Sequence, residues 1–436
     1  MRRLALLITT AALCGGLAAL GTVGRDGSGH GSPTADAAHP ASTAPVGDSS
    51  LTRAIAADQQ RLRQVPGDAT GWARLGAEYV EQARLTADPS YYPKADEALH
   101  RSLALAPEAN TDALTGLGAL ANARHLFDQA RDFAEQAVAV SPAHWPAYAV
   151  LADALTQLGD DSGATEAVQQ LLDRRPGTAS FTRAAYDLEQ HGRIDDARTA
   201  LQQARDGAYD PADRAFCQYQ LAELDRNYNR TQEALSGYEQ ALHTDPDYTP
   251  ALAGRARAEA ALGHSEDAVR DYTAAIAKVP LPQYLLELGE LHDSLGHAEQ
   301  AREQYRLLTA EQQLAAANGV VDDLTLGQYQ ADHGDPAQAE QLLRAEWNRR
   351  HNPLVADALA WALHRNGHDT EALDYANEAL AHGWNNALFR YHRGEIERAL
   401  GRTDEARRDL SAALATDPGF SPLQAPRARE DLRDLS

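Results

Sequence analysis

What most limits the fold of this chain is a set of distances that recurs along it. Gly159, Gly192, Gly263, Gly296, Gly334, Gly367 and Gly401 each stand five residues before an alanine, namely Ala164, Ala197, Ala268, Ala301, Ala339, Ala372 and Ala406. Asn229 takes the glycine's place before Ala234. A proline follows twelve residues after the alanine at Pro107, Pro142, Pro176, Pro246, Pro280 and Pro418. From Ala95 to Ala406 is 311 residues in nine steps, about 34.6 per step. A period of that length signals a helix-turn-helix unit that buries its apolar face by stacking on its neighbours.

The stretch Thr249 to Pro280 displays the unit. Numbering Thr249 as position 1 puts Ala256 at 8, Gly263 at 15, Ala268 at 20 and Pro280 at 32. A residue without Cβ enters the left-handed conformation at little cost, so Gly263 predicts the end of a first helix. Ser265, Glu266 and Asp267 supply a hydroxyl cap and two acids for the positive end of a second helix. Ala268, Tyr272 and Ala275 share one face of that helix, and Pro280 ends it by removing a donor and clashing with a further turn. Position 8 reads Gly or Ala throughout: Gly76, Gly118, Ala152, Ala185, Ala222, Ala256, Gly289, Gly327, Ala360 and Gly394. In spacing and residues the unit resembles the tetratricopeptide-repeat family. The resemblance implies an all-α fold, a right-handed superhelical solenoid of helix-turn-helix repeats, with first helices lining a concave groove that binds a protein segment.

Five segments are expected. Residues 1–24 place Arg2 and Arg3 before the uncharged run Leu4–Gly24, which is long enough to span a bilayer. By the positive-inside rule the rest of the chain then lies outside, and the run is read as a signal peptide or an uncleaved anchor in contact with the membrane. Residues 25–50 are Gly, Ser, Pro, Ala and Thr with few large apolar groups, the composition of a disordered linker. Residues 51–67 predict a capping helix, 68–420 about ten repeats, and 421–436 a polar capping helix. Extra residues around Ala87–Pro93 predict a tyrosine-bearing loop, either a ligand contact or an ordered loop packed on its own repeat. Four more residues between Ala301 and Ala339 predict one added helical turn near Glu311–Ala317.

The net charge of −23 argues against nucleic acid as a partner, since that affinity rests on Lys and Arg neutralising phosphates. One or more proteins or peptides fit better. Two cysteines, Cys14 and Cys217, exclude a disulfide framework and a thiolate cluster. No phosphate loop, His-Glu-x-x-His or nucleophile elbow occurs, so no enzyme, cofactor or metal is expected. His191, His264, His297, His333 and His368 flank the inter-helix glycines. Two readings stay open for them, a metal- or pH-sensing edge and polar groups that favour helix carboxyl ends.

Positions 2, 5, 9 and 12 of each first helix are the expected groove lining. They are bland at the start of the array (Ala73, Ala77, Thr115, Ala119, Ala149) and change character later. The candidate peptide-binding residues are Phe216, Tyr219, Arg257, Leu286, Glu290, Trp361, Tyr391 and Glu395, with Glu223, Leu324 and Arg398 at equivalent positions. Aromatic and arginine side chains dominate interface energetics when desolvated. The functional expectation is an exported or membrane-tethered scaffold that takes a protein segment in this groove. The alternatives are a cell-envelope assembly or accessory factor using the convex face, and a metal-responsive accessory protein using the histidine edge.

Overall fold

The computed structural model describes residues 50–435, which are helical throughout and contain no strand. A single helix α1 (Ser50–Gln64) precedes ten antiparallel pairs. The first five are α2 (Ala69–Thr86) with α3 (Tyr91–Leu105), α4 (Thr111–Ala123) with α5 (Phe127–Val140), α6 (Trp145–Leu158) with α7 (Asp161–Arg174), α8 (Thr178–Gln190) with α9 (Ile194–Asp206), and α10 (Pro211–Asn227) with α11 (Thr231–Thr244). Next come α12 (Thr249–Ala261) with α13 (Ser265–Lys278), α14 (Pro282–Ser294) with α15 (Ala298–Ala317), and α16 (Leu324–His333) with α17 (Pro336–Arg349). The last two are α18 (Pro353–Arg365) with α19 (Asp369–Ala379) and α20 (Ala387–Ala399) with α21 (Thr403–Thr416), after which α22 (Gln424–Asp434) ends the array. The fold is an all-α repeat solenoid. The export segment and most of the linker lie outside the described residues, and no described helix is long and apolar enough to cross a membrane.

Local chemistry explains the unit. Gly159, Gly192, Gly263, Gly296, Gly367 and Gly401 take positive φ after their first helices, and Asn229 does the same at φ 57°. Gly334 departs from the expectation. It keeps a negative φ, because the Gln330 side chain accepts the Asp335 amide and Pro336 opens the next helix at once. His125 and Ala87 adopt the left-handed turn without glycine. Before the prolines the last helical residue turns away from helical geometry, as at Val279 and Asp417, while its amide still reaches the carbonyl four residues back.

At Gly289, Gly327 and Gly394 position 8 is small because a large side chain sixteen residues on lies over it. A Cβ on Gly289 would stand 2.3 Å from the Tyr305 ring, and one on Gly327 2.5 Å from Leu343. That packing buries an alanine-rich seam between paired helices, from Ala95 near the start to Ala413 near the end. The two insertions resolve differently. Helix α2 continues to Thr86 and α3 starts at Tyr91, so Tyr91 and Tyr92 are helical, with the Tyr91 ring 6.0 Å from Tyr79. The second insertion lengthens α15 to 20 residues.

The solenoid is wound so tightly that successive superhelical turns touch. The Val321 amide donates to the Arg124 carbonyl at 3.0 Å, and the His351 amide to the Leu158 carbonyl at 3.2 Å. Gly159 passes so near that a Cβ there would lie 2.1 Å from the His351 carbonyl oxygen, and Gly192 meets Gly383 in the same way. Asp417 reaches Arg226 at 3.5 Å. Each contact joins the turn within one repeat to the loop after the fifth repeat downstream. Arg350, wholly buried, locks this seam by donating to Gln157 at 2.6 Å, with the Glu346 carboxylate beside it. The Asn352 amide adds a bond to the Gln157 carbonyl at 3.0 Å.

Candidate functional site: the enclosed concave face

Closure of the superhelix changes what an inward position means. Phe216, Tyr219, Tyr391 and Glu395 point inward yet are 0 to 5 % exposed, held in the packing between helices and not at an open groove. Glu223 and Leu324 are buried too, whereas Arg398 is exposed. Tyr219 packs its ring 6.0 Å from Tyr238 and 5.7 Å from Tyr248. The physical reason is curvature: so tight a winding brings the first helices close enough for aromatic side chains to fill the space between them.

The other four candidates, Arg257, Leu286, Glu290 and Trp361, come together as walls of one cavity of about 370 Å³. A further wall is supplied by the chain's own carboxyl-terminal stretch, from Asp417 to Arg429. Arg257 joins neighbouring first helices, donating to Glu223 at 2.7 Å and to Glu287 at 3.1 Å. Burial opposes the charge of Glu223, but Arg257 and Arg226 outweigh it and hold the carboxyl below its ordinary range. Burial likewise opposes the Arg257 charge, which Glu223 and Glu287 more than restore. Tyr272 donates to Glu287 at 3.0 Å and closes that side of the network. Glu223 and Arg257 are therefore held in their charged forms, and Arg257 lines the cavity.

Opposite it, the Trp361 indole donates to Asp332 at 2.9 Å. The His392 ring stacks on Trp361 at 4.2 Å, with its Nδ1 3.0 Å from both Asp357 carboxylate oxygens. His392 lines the cavity, is buried, and its Nε2 has no hydrogen-bond partner in the protein. The Arg257 Nε is also without one. Sequence reasoning missed His392 because it sits one position after Tyr391, off the inward register. The Asp357 that fixes it is 35 residues upstream.

Of the histidines near the inter-helix turns, His191, His264, His333 and His368 lie against acceptors, while the His297 ring stands 5.7 Å from that of His292. His264 contacts Glu259 at 2.5 Å, His368 contacts Glu340 at 2.9 Å, and His191 contacts the Asp187 carbonyl at 2.7 Å. His333 lies 3.4 Å from Glu290 and 3.5 Å from Asp293. Among the described residues no group of three or more His, Cys, Asp or Glu side chains could hold a metal ion.

A tetratricopeptide-repeat family model matches residues 121–185, and a second model of the same description matches residues 254–316 and 358–421. The chain is a tetratricopeptide-repeat protein. No curated protein matches it. Among solved structures it is similar to a tetratricopeptide-repeat protein from Parabacteroides merdae, with 18 % identity, 59 % of this chain and 98 % of that one covered, and a TM-score of 0.35. A thermophilic protein of the family from Thermus thermophilus shows 24 % identity over 44 % of this chain and 98 % of its own, with a TM-score of 0.38. PilW, a type IV pilus biogenesis factor, shows 20 % identity over 46 % of this chain and 92 % of its own, with a TM-score of 0.39. Tetratricopeptide-repeat proteins are typically non-catalytic interaction scaffolds, and this chain shares that architecture.

Proposed function

We propose that this tetratricopeptide-repeat protein is a non-catalytic scaffold, exported or tethered to the membrane by residues 1–24, that binds a protein segment in its concave interior. The observation that carries the binding part is the cavity walled by Arg257, Leu286, Glu290 and Trp361, because buried polar groups without partners sit in its walls. An unpartnered buried donor or acceptor costs about 1–3 kcal/mol, and a ligand that satisfies it regains that energy. His392 and Arg257 offer such groups beside the apolar faces of Leu286 and Trp361, the mixture of anchor and polar contact that specific peptide sites use. The export part rests on Arg2 and Arg3 preceding an uncharged run.

The test is photocrosslinking in the native cell from full-length protein carrying a photoreactive residue at Leu286 or Glu290, with Arg302 on a second helix as the outer control. The expected result is a defined protein adduct from the cavity positions and none from Arg302. Adducts from Arg302 alone would overturn the concave reading and favour the convex face. External protease acting on cells with permeable outer layers should degrade the array; protection equal to that of a cytosolic control would refute export.

A further inference from the structure

The carboxyl-terminal stretch does not leave the last repeat as a free tail. After α21 it turns into the concave interior and runs past one first helix after another. Asp417 lies 3.5 Å from Arg226 on α10. Gly419 skirts the end of α12 so closely that a Cβ there would stand 2.6 Å from the Ala261 methyl. The Phe420 ring sits 5.4 Å from Tyr391 on α20, and the Gln424 amide donates to Asp332 on α16 at 3.2 Å.

We propose that Pro418–Arg429, a turn segment that leads into the first half of α22, is a built-in occupant of the partner site, and that the partner is a segment of another protein with the same chemistry, which enters by displacing it. This rests on reading the interior cavity as the binding site. Three observations set the chemistry. Pro418 and Pro422 flank Phe420, and the chain turns on either side of this one aromatic ring before α22 begins at Gln424. Downstream, Arg427 and Arg429 are the only charges in Pro418–Arg429. Arg427 borders a pocket it shares with Glu290, Asp293 and Asp332. The matching partner therefore carries an aromatic residue between prolines, followed by arginine, and its positive charge suits an acidic protein.

The hold on the leading turn of this occupant is suited to exchange, whereas Ala425 and Ala428 of α22 are buried against the array. Among the described residues no backbone–backbone hydrogen bond joins Pro418–Leu423 to any first helix, so side chains alone retain that turn. Phe420 is only half-buried. Because the occupant is tethered, its effective concentration is in the millimolar range, and a free competitor meets an apparent affinity lowered by the closed fraction.

A fluorescein-labelled peptide with the sequence of residues 417–429 serves as the probe, titrated by polarisation into the full chain and into the full chain carrying Phe420→Ala and Gln424→Ala. The double substitution loosens the resident stretch and leaves intact the walls that the first helices supply. At least tenfold tighter binding to the variant is expected, with no competition from a peptide in which the phenylalanine is alanine. Equal affinity for both chains, or no binding to a variant that circular dichroism shows to be folded, overturns the proposal. Neither outcome touches the cavity reading, which the crosslinking decides. Hydrogen exchange on the unmodified chain is an independent check: saturating peptide should deprotect residues 419–425, and unchanged protection overturns displacement. A concentration-dependent dimer that exchanges these stretches would also overturn it, assigning the groove to a second copy.

Discussion

Gly159→Ala and Gly263→Ala are the same chemical change at the same repeat position, and the structure separates their costs. Both glycines occupy the left-handed region, at φ 81° and 86°. An alanine there loses roughly 1–2 kcal/mol to backbone strain. Nothing lies within 4 Å of a Cβ on Gly263, so its substitution should cost that and no more. A Cβ on Gly159 would stand 2.1 Å from the His351 carbonyl oxygen, a backbone atom that cannot rotate away. The seam must open there, straining the His351–Leu158 bond and the two bonds to Gln157. A neutral bond contributes about 1 kcal/mol and one to a charged group about 1.5–3 kcal/mol. Loss of that set adds roughly 3–5 kcal/mol to the strain. Urea denaturation of both variants, with small-angle scattering for the radius of gyration, is the assay. Gly159→Ala should be several kcal/mol less stable than Gly263→Ala and measurably expanded. Equal stability and equal radius would refute the claim that contacts between successive turns hold the molecule together.

The remaining predictions concern the interior. Tyr219→Ala and Tyr391→Ala remove almost fully buried rings and should destabilise by about 3–5 kcal/mol; melting within a degree of the parent would instead return these rings to a binding surface. Arg257→Ala takes from part-buried Glu287 and buried Glu223 the guanidinium that bridges them, leaving Glu223 only the Arg226 cation at 3.7 Å, and should cost about 3–5 kcal/mol, less in acid, measured by urea denaturation at two pH values. Burial pushes the Glu78, Glu189 and Glu397 carboxyls up to about 7. The folded chain then binds these protons more tightly than the unfolded chain, so their stabilising effect is complete below the unfolded value of 4.5 and is lost as pH rises through about 7. His333 acts in the same sense: burial opposes its charge, but the bond to Glu290 raises its pKa, and its contribution falls away as pH rises past 6.5 and through the folded value. The melting temperature should therefore be higher at about pH 5.5 than at about pH 8, and Glu397→Gln should flatten the difference.

The repeat itself was legible because its signals are local. Glycine, alanine and proline at fixed distances each enforce a turn, a close contact or a stop within one unit, and the helix pairs fall where those distances put them. Gly334 shows the limit even there, since a side-chain acceptor and an immediate Asp335-Pro336 start replaced the left-handed turn. The inward register of the candidate residues could also be read, but not their exposure. Whether Tyr219 faces solvent or a neighbouring tyrosine depends on superhelical curvature, which accumulates from small rotations at every joint. The bonds that fix this curvature join Gln157 to Arg350 and Arg226 to Asp417, some 190 residues apart, and no periodic signal marks them. His392 and the returning stretch after Asp417 escaped for the same reason, because their meaning lies in what a distant part of the chain brings to them.

The seam between turns also bears on how such a chain can change over generations. An ordinary array tolerates duplication or loss of a unit, since each unit meets only its neighbours. Here the loop at His351, five units on, leaves no room for a Cβ on Gly159, beyond what the left-handed turn already asks. Inserting or deleting one unit anywhere between them would bring a different loop to that glycine and separate Gln157 from Arg350. Unit number is then as tightly constrained as a core residue, and length variation should be tolerated only outside the interlocked span.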